Sequence, residues 1–213
     1  MTACPNQVAK PIAARRTLFQ SDRLLRNKNL TTLNRIKYDP EMLLHLLFDN
    51  YQYSDNCNVI KVCKVKVKKT GGIVLAHYYA HVQLSNNFEF EFHPGSQPKT
   101  FQNVHTLGNV LIVNILCDAC VKRELYDYIL GENKFNVAFY NCERILCKRQ
   151  SVQTVFITVA LIIIGFNMFS FSWLFIFLTI IIIMCLYVIN NYMISGPLIN
   201  YCIHKSQKHN NEQ

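Results

Sequence analysis

The stretch "IVLAHYYAHVQLSNNFEFEFHPG", residues 73–95, decides how the chain is read. In its second half, phenylalanine and glutamate alternate: Phe88, Phe90 and Phe92 fall on one side, Glu89 and Glu91 on the other. A period of two is the signature of a strand with one apolar face. Asn86 and Asn87 tolerate a positive φ and suit a tight turn, so residues 73–84 read as the preceding antiparallel strand. His93, Pro94 and Gly95 end the second strand. Working outward, "NVIKVCKVKVKK" (58–69) is a further strand with one basic, solvated face, and "NVLIVNIL" (109–116) a fourth, apolar one. Helices flank them. "YDPEMLLHLLFDN" has Asp39 as cap, Pro40 in the first turn and an apolar stripe of Met42, Leu43, Leu46 and Leu47. "CDACVKRELYDYILGE" reads as a helix ended by Gly131, and "CERILCKRQ" as a short one capped by Asn141. Residues 39–150 therefore form an α+β domain built on a small antiparallel sheet, large enough for one core.

Two regions flank that domain. Residues 1–38 form a basic arm with eight Lys or Arg and only Asp22 against them, in a chain of net charge +9. Such an arm is either a solvated tail or a contact for anionic lipid, nucleic acid or an acidic protein; no specific nucleic-acid motif accompanies it. From Val152 to Ile189 there is no charged residue. A block of that length exceeds the roughly 20 apolar residues that cross a bilayer. Gly165, Asn167, Ser170 and Ser172 interrupt its middle, so the expectation is a C-terminal transmembrane helical hairpin over 151–192, with spans near 152–166 and 172–190, then a polar tail over 193–213. Lys148 and Arg149 before the block, and His204, Lys205 and Lys208 after it, place both flanks on one side. The alternative is one crossing plus an interfacial stretch. Localisation follows as integral membrane. The N-terminus lacks the apolar core of a cleavable signal, and nine cysteines, an odd number, read as free thiols in a reducing compartment.

Cys142 follows the capping Asn141 at a helix start, where unpaired amides and the dipole favour a thiolate. A cysteine nucleophile also needs a base. His81 lies on the second strand, with His93 twelve residues on; a plain two-residue hairpin would face them oppositely, so a bulge near Asn87 or Phe88 is required to bring them together. His77 shares a face with His81 and is the substitute base. A structural zinc site is the alternative use of the thiols, from Cys117, Cys120, Cys142 and Cys147 in a C-x2-C and C-x4-C arrangement. The third option is that Cys142 and Cys147 are small hydrophobes on one side of a helix. No cofactor is expected.

"AHVQLSNNFEFEFH" followed by "YNCER" resembles the circularly permuted papain-like fold of the lecithin:retinol acyltransferase and NlpC/P60-like group. That resemblance implies Cys142 as nucleophile, His81 as base and His93 as the orienting histidine, in a membrane-anchored thiol hydrolase or acyltransferase. "NCERI" departs from the group's box by lacking its histidine and phenylalanine, and Val82 stands where an aromatic is usual. A more extensive resemblance rests on "YDPEMLLH", "GGIVLAHYYAHVQL", "FEFEFHPGSQPKTFQ" and "FNVAFYNCERILCKR" with the apolar block. Together they are similar to the baculovirus core protein family of open reading frame eighty-one, over nearly all of residues 20–200. It implies a viral protein of virion morphogenesis: nucleocapsid envelopment and embedding of occlusion-derived virions. The implied partners are the lipid membrane, viral envelope or nucleocapsid proteins and the host cytoskeleton, on host nuclear or cytoplasmic membranes and the virion envelope.

Overall fold

The computed structural model describes residues 35–48, 57–66, 76–137, 139–169, 171–192, 196–202 and 204. Nearly all of the basic arm, up to residue 34, lies outside them. Its end is part of the domain: Arg35 pairs with Glu132 at 2.7 Å, and the Tyr38 backbone N–H donates to Asn133 Oδ1 at 2.8 Å.

Six strands, β1 (Asn58–Lys66), β2 (Ala76–Gln83), β3 (Glu89–Phe92), β4 (Phe101–Gln102), β5 (Asn109–Leu116) and β6 (Leu198–Tyr201), form one sheet in the order β4-β3-β2-β1-β5-β6. All neighbours are antiparallel except β5 and β6, which run parallel. The β2–β3 turn holds three residues rather than two. The Leu84 N–H donates to the Phe88 carbonyl at 2.9 Å, and Asn87 takes the left-handed φ of 61° that its side chain tolerates. That extra residue pairs Ala80 with Phe92 and His81 with Glu91, so His77, Tyr79, His81, Glu91 and His93 share one face of the sheet.

The opposite face is the apolar one. Ile60, Val62, Tyr78, Ala80, Val82, Phe90 and Phe92 are buried there against α1 (Pro40–Phe48), α2 (Asp118–Asn133) and α3 (Cys142–Cys147). Asp39 caps α1 by accepting from the Glu41 N–H at 2.9 Å, and Leu43, Leu47 and Phe48 enter the core while Met42 turns outward. Phe92 lies flat on Tyr128 of α2, ring centroids 5.8 Å apart. Contrary to the sequence expectation, Gly131 does not end α2, which runs to Asn133. It sits inside the helix because α3 crosses there: a Cβ at Gly131 would stand 2.9 Å from Ile145 Cγ2.

Two helices, α4 (Val152–Phe169) and α5 (Trp173–Tyr192), pack against each other as a hairpin. Asn167 Oδ1 accepts from the Ser172 N–H at 2.9 Å and closes the turn. The expected membrane crossing, and with it the integral membrane localisation, is overturned: among the described residues no helix is long and apolar enough to cross a membrane. Polar residues shorten each leg. In α4, Gln153 and Thr154 precede Val155, and Asn167 follows Phe166. In α5 the apolar run ends at Ile189, before Asn190 and Asn191, giving about 26 Å of helix against roughly 30 Å of hydrocarbon. The fold is thus a single-sheet α+β domain with an appended apolar hairpin.

Both feet of the hairpin are tied to the domain. At the first, Ser151 Oγ donates to the buried Glu143 at 2.8 Å and Asn141 Nδ2 donates to Thr154 Oγ1 at 2.8 Å. At the second, β6 adds to the sheet edge and the Cys202 N–H donates to the Ile115 carbonyl at 3.0 Å.

Candidate functional site

The alternation read from residues 73–95 sends a row of polar side chains to the face away from the core. Glu91, fully buried, is its centre. It accepts from the backbone N–H of His105 (2.9 Å) and Thr106 (2.7 Å), from the Thr106 hydroxyl (2.7 Å) and from His93 Nε2 (2.8 Å). Burial pushes the Glu91 carboxyl up, but donation from His93, Thr106 and His105 outweighs it and leaves its pKa below the ordinary value. The segment between β4 and β5 covers this face: the Tyr79 hydroxyl donates to the Thr106 carbonyl at 2.7 Å.

An ionised carboxylate only accepts, so His93 carries its proton on Nε2 and presents a lone pair at Nδ1. His77 Nε2 lies 3.2 Å from that Nδ1 and supplies the proton. Glu91, His93 and His77 therefore form one directed chain, with the Tyr79 ring stacked on His93, centroids 4.8 Å apart. Burial lowers the His93 pKa, partly opposed by Glu91. Burial and then His93 lower that of His77 to about 4, so both rings are neutral at physiological pH.

Asn141 caps α3 as the sequence implies, its side chain accepting from the Arg144 N–H at 3.2 Å. The Cys142 sulfur at that helix start accepts from the Tyr78 N–H at 3.5 Å, beside the stretch of β2 that β3 is too short to pair. Burial raises the Cys142 thiol, against the lowering effect of backbone amides from Tyr78 and Glu143. The structure thus brings together His77 and His93, and sets the Cys142 sulfur on the backbone of the residue after His77. His81 shares the histidine face but its Nε2 turns to Glu89 at 3.3 Å.

Two groups stand out among the described thiols. Cys142 and Cys147 pack against the apolar core from α3. Cys117 and Cys120, at the start of α2, meet instead Cys202 and His204 from the end of the chain, their four ligand atoms all within 4.8 Å of one another. Sequence spacing pointed to the first pair of this cluster; the C-x-H of Cys202 and His204, lying beyond the apolar block, was the signal for the second.

The sequence model of the family described as Baculoviridae AC81 matches residues 35–205, from the first residue of the domain to just past His204. The chain belongs to that family. Protein AC81 of Autographa californica nuclear polyhedrosis virus is 52% identical over 207 residues, covering 94% of this chain and 87% of the relative. An "Uncharacterized 24.9 kDa protein" of Orgyia pseudotsugata multicapsid polyhedrosis virus is 50% identical over 212 residues, covering 98% and 97%. No solved structure matches this AC81-family chain, so its likeness to the permuted papain-like group rests on the quoted residues alone.

Proposed function

We propose that this AC81-family protein serves virion morphogenesis, in nucleocapsid envelopment and the embedding of occlusion-derived virions, by binding viral envelope or nucleocapsid proteins rather than by catalysis. The observation that carries the reading is the hairpin of α4 and α5. It presents Phe166, Phe169, Phe171, Trp173 and Phe177 exposed on a part of the molecule held at both feet. A contiguous apolar surface of this kind on a virus protein is a contact surface. The basic arm of residues 1–38, with eight Lys or Arg against Asp22 alone, adds attraction for acidic partners, the host cytoskeleton among them. Against hydrolysis stands the chemistry of Cys142: a nucleophile needs its thiolate, and burial keeps this thiol protonated.

The test is a virus carrying Phe169→Asp with Trp173→Asp. The expected result is a fall in enveloped nucleocapsids by electron microscopy while the protein accumulates normally; unchanged envelopment sinks the contact reading. Cys142→Ala should leave envelopment intact. Loss of envelopment with Cys142→Ala at normal protein levels would move the case to the thiol hydrolase. Exposed Trp173 at the hairpin turn favours one further use of the surface, peripheral contact with the envelope lipid. Co-flotation with vesicles in the absence of other viral proteins is the result that would favour it.

A further inference from the structure

The structure assigns a zinc site to Cys117, Cys120, Cys202 and His204. It is independent of the assembly reading and stands on topology, distance and ligand chemistry.

Topology comes first. β5 and β6 are the parallel pair of the sheet, and parallel strands end on the same side. Ile115 is in register with Tyr201, so the residues that leave the two strands, Leu116 with Cys117 and then Cys202, emerge side by side. The chain after β5 turns at once into α2, which places Cys117 at the cap and Cys120 in the first turn. No side-chain cap bond engages Cys117. Both sulfurs therefore sit where the helix N-terminus favours anionic ligands. Residues as far apart as Cys117 and His204 in sequence, 87 positions, converge on one point.

The distances fit a metal site, with all four ligand atoms within 4.8 Å of one another. With Zn–S near 2.3 Å, Zn–N near 2.05 Å and tetrahedral angles, the sulfur-to-nitrogen edges are about 3.5 Å. His204 Nδ1 lies 3.6 Å from Cys117 Sγ and 3.5 Å from Cys120 Sγ. A ring nitrogen has one in-plane site, as a proton or as a lone pair, and serves one thiol well. Two sulfurs held equally close to the same nitrogen are the arrangement that a shared cation between them requires. Three thiolates and an imidazole are the Cys3His set of a structural zinc site. Soft sulfur ligands select against magnesium and calcium, and four protein ligands leave no open position for catalysis. Thiol-rich sites of this kind suit a protein whose described cysteines form no disulfide.

The role that follows is mechanical. The ion clamps the chain after α5 onto the end of β5, fixing the second foot of the apolar hairpin where β6 alone, a four-residue edge strand with every residue exposed, offers little burial.

The experiment uses the full chain, expressed with zinc and purified under reducing conditions without chelator. Metal content is measured by plasma mass spectrometry, and cobalt replacement is followed by visible absorption. Wild type should carry about one equivalent of zinc and give the ligand-field bands of tetrahedral thiolate cobalt. Cys202→Ser and His204→Ala should weaken zinc binding by more than about 100-fold, whereas Cys142→Ala and Cys147→Ala should not change it. His204→Cys should restore one equivalent with an all-thiolate cobalt spectrum, which a variant that merely misfolds would not do. Wild-type protein that neither contains nor takes up stoichiometric zinc overturns the assignment. So does zinc that survives Cys202→Ser but is lost with Cys142→Ala.

Discussion

His77 is the most sensitive reporter of the buried polar face, because its neutral form is built into the hydrogen-bond chain. In the unfolded chain a histidine titrates near 6.5; burial and then the neighbouring His93 bring His77 in the folded protein to about 4. The sign follows from proton counting. Between those two pH values the unfolded state holds a proton that the folded state does not, so stability is complete above pH 6.5 and falls as pH drops towards 4. At 1.36 kcal/mol for each pH unit of displacement, the loss attributable to His77 is about 3 kcal/mol. His93 adds a loss of the same sign, since burial lowers it too. The assay is urea unfolding of wild type and His77→Gln across pH 4 to 7.5, the amide being able to donate to His93 Nδ1 without titrating. Wild type should lose about 3 kcal/mol more than the variant over this interval. Equal pH profiles for the two proteins would refute the half-buried, neutral His77. So would a His77 ring that titrates near 6.5 by NMR.

Two further substitutions probe the packing on either side of the sheet. Glu91→Gln keeps the shape but replaces an acceptor with an amide facing the donors of Thr106 and His105, and should cost about 3 kcal/mol in urea unfolding; a cost under about 1 kcal/mol would show that the four donations do not matter. Gly131→Ala should cost about 1 to 2 kcal/mol because the new methyl meets Ile145 Cγ2, and it should cost less in an Ile145→Ala background; additive effects in that double-mutant cycle would remove the steric explanation.

The sheet was legible because its strands alternate. Phe88, Phe90 and Phe92 fall on the side the pattern assigned them, and the caps Asp39 and Asn141 bond as their positions imply. Loop length was harder to read. Whether the β2–β3 turn has two or three residues reverses the facing of His93, and only the geometry at Asn87 settles it. Gly131 shows the converse difficulty: glycine is a stop signal locally, but here a crossing helix demands its lack of a side chain. The apolar block misled for a related reason. Counting uncharged residues ignores where Asn167, Asn190 and Asn191 fall along each leg. The C-x-H of Cys202 and His204 was in view, but its meeting with Cys117 and Cys120 could not be read, because a parallel strand pairing after a long excursion has no local signature.

The placement of that excursion links the parts. Between α3 and β6 the chain leaves the domain, runs out along α4, returns along α5 and rejoins the sheet at its free edge. Each foot ends on a polar lock: Glu143 with Ser151 and Arg149 at one, the thiol and imidazole cluster at the other. Glu143 is only 1% exposed, and its carboxylate is satisfied by residues on the first foot itself. Withdrawing that foot would leave a buried, unpaired charge, a change that costs several kcal/mol. The hairpin therefore cannot swing freely on this domain. Force or position applied to its apolar surface by a bound partner is passed at one foot to α3, which packs on β2, and at the other to β5. A contact element held in this way would transmit the orientation of a partner to the whole sheet, which is what the proposed assembly role calls for and a flexible tether could not supply.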